Sequence, residues 1–164
     1  MNILIREAEE KDLEIMSKLY VTNWHATYMG IVPNSYLEGV TEASAYEKWN
    51  NYVDDEIKKV YVAYADEKLV GIGACKKDLE IEKCLCLDVL HVDEACRNKG
   101  VGTALIEINK EYMKSLGWTK LRISIISGND HARSFYMNRG AKHLKYYDVD
   151  FKGTNVQCEK LIIG

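Results

Sequence analysis

The stretch RNKGVGTALIE, Arg97 to Glu107, contains a glycine-rich turn that indicates how this chain is organised. It sets Gly100 and Gly102 two residues apart, after a long apolar segment and before residues with helical apolar spacing. Glycines at such a turn let several backbone N–H groups approach one ligand, and the start of a helix carries a partial positive charge. With Arg97 and Lys99 beside it, the turn is suited to bind a pyrophosphate.

Two other phosphate-binding loops do not match this stretch. A P-loop requires four residues between its glycines and then a lysine followed by serine or threonine, whereas Lys99 precedes Gly100. A dinucleotide-binding fingerprint requires a third glycine where Leu105 stands and an acidic residue about twenty positions further on, where the next strand offers Arg122. The turn therefore belongs to another class of anion site.

The composition indicates one globular domain over residues 1–164. The chain is 47% hydrophobic and 29% charged, with a formal net charge of -3, and its positive residues are dispersed. This pattern lacks the basic patch that binds nucleic acid or an anionic membrane, so the expected partners are small molecules or proteins. The acidic N-terminal stretch and the absence of a long apolar run predict a cytoplasmic protein.

The cysteines and histidines do not suggest a metal site. The five cysteines lack paired CxxC spacing, and the four histidines are scattered along the chain. An odd number of cysteines is also a poor basis for a disulfide framework. We expect reduced thiols and no bound metal.

The hydrophobic periodicity predicts the order β, α, α, three strands, α, β, α, β, β. The predicted segments are a strand at 3–8, a helix within 9–28, a loop at 29–40, a helix within 41–55 capped by Thr41, a hairpin at 59–78, a strand at 83–92, a helix at 101–116, a strand at 120–126, a helix within 129–139 and a closing strand pair at 143–151 and 156–163.

Two motifs in this order resemble one family. The RxxGxG turn follows a long strand, and the next strand is followed by the series Asn129, Ala132, Phe135, Tyr136 and Gly140. Together they resemble the GNAT superfamily of acetyl-CoA-dependent N-acetyltransferases. The resemblance implies an α/β (α+β) fold with a mixed, mostly antiparallel central sheet of about seven strands and about four helices, splayed at the acetyl-CoA site.

The same resemblance implies acetyl-CoA as the cofactor, with CoA as a product. Strand backbone near residues 90–92 pairs with the pantetheine arm, residues 97–103 wrap the pyrophosphate, Asn129 touches the pantetheine, and Tyr136 faces the coenzyme sulfur. The implied cofactor-binding residues are Leu90, His91, Val92, Arg97, Asn98, Lys99, Gly100, Val101, Gly102, Thr103, Asn129, Arg133 and Tyr136.

Each of these roles has a simpler alternative. Arg97 and Lys99 are also compatible with solvated side chains, Asn129 with a helix cap, and Tyr136 with a core aromatic residue. These alternatives stay open at the level of sequence.

The catalytic and acceptor residues have weaker signals. Asp88, on the strand before the turn, is the predicted general base, with a surface carboxylate as the alternative, and Tyr136 is the second predicted catalytic residue. Cys86 as an acyl-carrying nucleophile lacks a histidine at suitable spacing. Trp24 and Tyr28 are the predicted substrate-binding residues, although Trp24 also fits a helix core.

The expected activity is transfer of an acetyl group to a primary amine by direct attack, without a covalent enzyme intermediate. A small amine, a polyamine, an amino acid, an aminoglycoside and a peptide N-terminus all remain possible acceptors. The alternatives are an acyl-CoA-binding sensor or partner module without turnover and an enzyme that uses a longer acyl donor. Similar proteins are commonly dimers, so a homodimer is also possible.

Overall fold

The computed structural model of the chain describes residues 2–53 and 55–164. Residue 54, inside the segment predicted to hold the second helix, and Met1 lie outside the described residues. The strands are β1 Ile3–Glu7, β2 Lys59–Ala65, β3 Lys68–Lys77, β4 Cys84–Val92, β5 Lys120–Ile126, β6 Lys142–Phe151 and β7 Thr154–Ile163. The helices are α1 Leu13–Tyr28, α2 Asn34–Leu37, α3 Glu42–Val53, α4 Val101–Ser115 and α5 Asp130–Met137.

The strands form one sheet of seven strands in the order β1-β2-β3-β4-β5-β7-β6, which confirms the predicted architecture. All neighbouring strands are antiparallel except β4 and β5, which run parallel. A parallel pair requires a crossover connection, and here α4 supplies it. The one parallel pair in this mostly antiparallel sheet is therefore the pair of strands that the glycine turn and α4 connect.

One element differs from the prediction. The predicted loop at 29–40 contains α2, which begins directly after Pro33 at a φ of -64°. Proline fixes φ near this value and is well tolerated at the start of a helix. Pro33 therefore favours a helical turn, and α2 is four residues long. Thr41 caps α3 as predicted, because its side-chain oxygen accepts from the backbone N–H of Ser44 at 3.2 Å.

The two faces of the sheet carry separate cores. On one face, Leu13 and Met16 of α1 and Trp49 of α3 are fully buried against β2, β3 and β4. On the other face, Leu105 and Ile106 of α4 are fully buried. Because both faces are covered, the central strands are apolar on both sides, as the runs KVYVAYA and KLVGIGA show.

The strand β4 contains a bulge at Asp88. Ala74 of β3 lies opposite Val89, and the next residue of β3, Cys75, lies opposite Leu87, so Asp88 has no partner. Leu87 consequently packs with the α4 core and Val89 with the α1 and α3 core, although their spacing would place both on one face of a regular strand. The bulge turns the side chain of Asp88 toward α3.

Beyond this bulge β4 and β5 separate. Their parallel pairing covers residues 84–87 of β4 and 120–123 of β5, yet β4 continues to Val92 and β5 continues to Ile126. The carboxyl-terminal halves of both strands therefore border an opening in the sheet. The segment that leads into α4 follows β4 on one side of the opening, and the segment that leads into α5 follows β5 on the other side.

Within residues 2–53 and 55–164, no helix combines the length and the hydropathy that a membrane span requires. The five cysteines are all free thiols, as the sequence predicted.

Gly71 of β3 allows α4 to approach the sheet closely. A Cβ atom at this position would lie 2.8 Å from Cδ1 of Leu105, 2.9 Å from Cγ1 of Val101 and 3.3 Å from the carbonyl oxygen of His91. Contacts this short force the neighbours to move, so Gly71 is required by packing.

We predict that Gly71→Ala lowers the free energy of unfolding by about 1–3 kcal/mol, because overpacking displaces α4 from the sheet. Urea denaturation followed by circular dichroism measures the change. Gly39→Ala is the matched control, since its Cβ would meet nothing closer than the Tyr36 carbonyl oxygen at 3.4 Å. Equal midpoints for the two variants would contradict the prediction.

Candidate active site

A cavity of about 790 Å³ occupies the opening between β4 and β5. Its walls come from β4, β5, α1, the start of α4 and α5, and strands β6 and β7 close its far end. Ligand sites in parallel α/β arrangements typically lie beyond the carboxyl ends of the strands, and this cavity lies there. Its lining residues include both the turn before α4 and α1, so the cavity connects these two elements.

The anion-binding end of the cavity is the start of α4. Gly100 caps this helix with a φ of +87°, a left-handed conformation that favours glycine, and no side chain caps the helix. Apart from its neighbours in the chain, no described atom lies within 4 Å of the position that a Cβ of Gly100 would occupy. The first N–H groups of α4 therefore face an open space beside Arg97 and Thr103, which also line the cavity.

Arg139 is a further cation at this end, and the sequence reasoning missed it. Its Nη2 donates to Oγ1 of Thr103 at 2.5 Å, its Nη1 donates to the carbonyl oxygen of Phe135 at 2.8 Å, and its guanidinium lies 3.6 Å from the centre of the Phe135 ring. Its Nε is buried and has no hydrogen-bond partner among the described residues. An orphaned donor of this kind fits an anion as its missing partner.

Gly102 has a different role from the one expected. A Cβ at this position would lie 3.2 Å from Cζ of Phe135 and 3.7 Å from Cγ2 of Val92. The space that the glycine leaves is therefore taken by the Phe135 ring rather than held open for a phosphate. Gly102 allows α5 to pack across the start of α4, and that packing places Arg139 at the cavity.

The structure brings most of the predicted site residues to this one cavity. Those that line it are Trp24, Tyr28, Asp88, Leu90, His91, Val92, Arg97, Asn98, Gly100, Gly102, Thr103, Asn129 and Tyr136. Three predicted cofactor-binding residues do not line it. Lys99 is exposed to solvent, and the side chain of Val101 is buried in the core, so only the backbone of Val101 is available.

Arg133 lies away from the cavity. Its Nε and Nη2 donate to the carboxylate oxygens of Glu159 at 2.8 and 3.2 Å, on a part of α5 that does not border the cavity. The helical turn directs Arg133 toward β7, whereas Arg139, just past the end of α5, reaches the anion-binding end. The sequence could not separate the two arginines, because the direction of each side chain depends on how α5 packs.

The wall formed by β4 includes a buried amide contact from α1. Nδ2 of Asn23 donates to the carbonyl oxygen of Val92 at 3.1 Å, and Nε of Arg97 donates to the same oxygen at 3.4 Å. A ligand that donates a hydrogen bond to the Val92 carbonyl oxygen would therefore compete with Asn23 and Arg97 for it. The sequence signal for Asn23 is a polar residue on the buried face of an otherwise apolar helix.

His91 is neutral at physiological pH. Burial, with smaller effects of the charges on Arg97 and Lys48, lowers the pKa of His91 to about 4. Its ring lies 5.1 Å from the ring of Tyr20 on α1. The imidazole therefore adds an uncharged wall to the cavity.

Tyr136 lies at the inner side of the cavity. Only 7% of the residue is exposed, and its hydroxyl makes no hydrogen bond within the described part of the chain. Burial raises the pKa of Tyr136 well above its ordinary value, so the phenol stays protonated. It is thus both a core aromatic residue and a buried O–H group beside the opening.

Asn129 combines the two roles that the sequence left open. Its Oδ1 accepts from the backbone N–H of Ala132 at 3.3 Å, which makes it the cap of α5. Its Nδ2 donates to the hydroxyl of Tyr28 at 3.2 Å. The cap residue therefore joins the start of α5 to the end of α1 across the cavity.

Asp88 is enclosed by partners. The hydroxyl of Tyr52 donates to its Oδ2, and the Nζ atoms of Lys48 and Lys76 lie 3.3 and 3.6 Å from its carboxylate oxygens. Burial opposes ionisation, but the lysine charges and the Tyr52 hydrogen bond hold the pKa of Asp88 below its ordinary value. The carboxylate is therefore charged and a weak proton acceptor.

No cluster of three or more histidine, cysteine or acidic side chains that could hold a metal ion occurs within residues 2–53 and 55–164. The groups at the start of α4 instead favour an anion, because they combine free helix N–H groups, Arg97 and the orphaned Nε of Arg139. The cavity as a whole fits an elongated ligand with a phosphate at one end.

Comparison with solved structures shows the same fold in several acetyltransferases. The chain is similar to the PaiA N-acetyltransferase from Thermoplasma acidophilum, solved in complex with coenzyme A, with a TM-score of 0.76 and 24% identity over 97% of this chain and 98% of that chain. It is also similar to the ribosomal-protein-alanine N-acetyltransferase from Brucella melitensis, with a TM-score of 0.79 and 19% identity over 98% of both chains.

A curated relative matches a shorter segment. Uncharacterized protein YxbD from Bacillus subtilis (strain 168) is 29% identical over 85 residues, which are 47% of this chain and 53% of that protein. The match thus spans about half the length of that relative. The model of the Acetyltransferase (GNAT) family matches residues 18–141, which run from α1 to the end of the turn after α5. This chain therefore belongs to the GNAT family of acetyltransferases.

Proposed function

We propose that this protein transfers an acetyl group from acetyl-CoA to a primary amine of a small molecule or peptide. The observation that carries the proposal is the opening between β4 and β5, because an exposed strand edge and an uncapped helix start meet there at one cavity. Membership of an acetyltransferase family supports the acetyl group as the cargo.

The residues at the anion-binding end fit CoA. The N–H groups at the start of α4 and the guanidinium groups of Arg97 and Arg139 would hold the pyrophosphate. The backbone of β4 around Leu90 would pair with the pantetheine arm, since β4 has no β5 partner beyond Leu87. When bound, acetyl-CoA supplies an activated thioester.

Tyr136 is proposed as the general acid. Its phenol remains protonated because burial raises its pKa, and its hydroxyl has no protein partner among the described residues to compete for the proton. As the C–N bond forms and the C–S bond breaks, the hydroxyl donates a proton to the departing sulfur. The amine nitrogen gives up its own proton to water in the cavity, and water returns a proton to the Tyr136 phenolate, so that the phenol is restored.

Asp88 is a positioning residue in this proposal rather than the base. Its carboxylate already accepts from Tyr52 and pairs with Lys48, and its lowered pKa makes it a poor acceptor for the proton of an amine. Its contacts instead tie the bulge of β4 to α3. That bulge lies where the two strands begin to separate.

A thiol-release assay tests the proposed activity. The protein is mixed with acetyl-CoA and a broad panel of amines, and free CoA thiol is measured together with the acetylated product. We expect thiol release that requires both an amine and the protein. Binding of acetyl-CoA without thiol release for any amine would support a sensor instead, and faster release from a longer acyl-CoA would reassign the donor.

We predict that Tyr136→Phe lowers kcat by about a hundredfold and changes the Kd for acetyl-CoA only a few-fold, because the ring still packs but the proton donor is lost. Steady-state kinetics and calorimetric titration on the same protein measure the two effects. An unchanged kcat with lower thermal stability would make Tyr136 a structural residue.

We predict that Arg139→Gln raises the Kd for CoA by about tenfold, because a charge-assisted hydrogen bond to a phosphate is worth about 1.5–3 kcal/mol. Arg133→Gln is the matched control, since its guanidinium pairs with Glu159 outside the cavity. Calorimetry with CoA compares the two variants. A larger loss in Arg133→Gln would return the phosphate contact to the residue that the sequence favoured.

A further inference from the structure

Five aromatic side chains form a continuous wall at the end of the cavity away from the start of α4. This aromatic wall consists of Trp24, Tyr28, Tyr36, Tyr147 and Phe151, which all line the cavity. The ring centres of Trp24 and Tyr28 are 4.5 Å apart, those of Trp24 and Tyr36 are 5.8 Å apart, and those of Tyr36 and Phe151 are 4.7 Å apart. The stretch of sequence around α1 and α2 supplies Trp24, Tyr28 and Tyr36, whereas β6 supplies Tyr147 and Phe151, which the sequence did not indicate.

The wall is not sealed inside a core. Trp24, Tyr28, Tyr36 and Tyr147 are each half-buried, whereas Phe151 is 7% exposed. The hydroxyl of Tyr28 is fixed by Asn129. The apolar surfaces of these rings therefore face the space where an acceptor molecule would reach the opening of the sheet.

The charges around the wall do not favour a polycation. Asp88 and Glu94 are the two carboxylates among the described residues that line the cavity. Asp88 is already paired with Lys48 and Lys76, and Glu94 lies in the turn between β4 and α4, near the anion-binding end. The wall itself thus has no unpaired carboxylate to hold a second ammonium group.

A cation of the protein already lies against one ring of the wall. Nζ of Lys160 is 5.1 Å from the centre of the Tyr147 ring and 2.9 Å from Oε2 of Glu80. Lys160 does not itself line the cavity, but it brings a positive charge next to this ring, which disfavours a ligand cation at the same place. The wall is therefore better suited to an uncharged ring or a bulky apolar group.

We propose that the acceptor is a primary amine on an aromatic or bulky apolar body with no second positive charge, and that this body packs on the aromatic wall. The proposal rests on the proposed acetyl transfer, which it deepens by naming the acceptor class. It disfavours the polyamines and aminoglycosides that the sequence left open, because both carry several ammonium groups.

The first test compares acceptors of equal reactivity in the thiol-release assay. Phenethylamine and tryptamine represent the proposed class, and putrescine and spermidine represent polycations. Burial of a phenyl ring is worth about 1.5–3 kcal/mol, so we expect kcat/KM for phenethylamine to exceed that for putrescine at least tenfold. Equal or better use of putrescine or spermidine would overturn the acceptor class and leave acetyl transfer intact.

A binding measurement keeps the inference separate from turnover. Phenethylamine and putrescine are titrated calorimetrically into the protein saturated with CoA, which has no acetyl group to transfer. We expect phenethylamine to bind at least tenfold more tightly than putrescine. Absence of that preference overturns the inference, whereas the preference without thiol release in the kinetic assay overturns the proposed acetyl transfer alone.

Variants of the wall test the location of the subsite. Tyr36→Ala is expected to raise the KM for phenethylamine about tenfold, with the KM for methylamine and the Kd for CoA unchanged, and Tyr36→Phe is expected to retain the parent KM. Tyr46→Ala is the matched control, because Tyr46 of α3 is 39% exposed and does not line the cavity. An equal rise for phenethylamine and methylamine in Tyr36→Ala would overturn the subsite.

Discussion

The site depends on one interruption of backbone pairing. β4 and β5 pair as far as Leu87 and Ile123 and diverge from Asp88 onward, the bulge residue that has no register partner in β3. A bulge bends a strand and increases its local twist, so the two parallel strands cannot continue side by side. The opening that results exposes a strand edge, and it places the starts of α4 and α5 on either side of one cavity.

The bulge is held by side chains from another part of the chain. Asp88 contacts Tyr52 and Lys48 of α3 and Lys76 of β3, so its charge is balanced where it is buried. A buried carboxylate without such partners would be costly. The contacts that hold the bulge also keep the pKa of Asp88 low, so its carboxylate is a weak base. The shape of the sheet and the proton chemistry of the site therefore depend on the same contacts.

The cavity has two ends of different character. At the start of α4, Arg97, Arg139 and free N–H groups create a positive region. At the other end, the aromatic wall is apolar, and the charges near it are paired within the protein. An anionic acetyl donor would therefore bind at the positive end, because of electrostatic attraction. An uncharged acceptor body would bind at the aromatic wall, because its apolar surface is buried there.

The sequence alone determined the order of elements and the family, and it located a turn suited to an anion, because periodicity, glycine spacing and turn residues act over short distances. It did not determine which arginine lines the cavity, that the Phe135 ring fills the space beside Gly102, or that Tyr147 and Phe151 join Trp24 and Tyr36 in one wall. These depend on the rotation of α5 and on contacts between residues that lie far apart in the chain, by more than a hundred positions for Tyr36 and Phe151. Only the packed sheet and helices fix such contacts, since local patterns carry no information about which distant surface a side chain will meet.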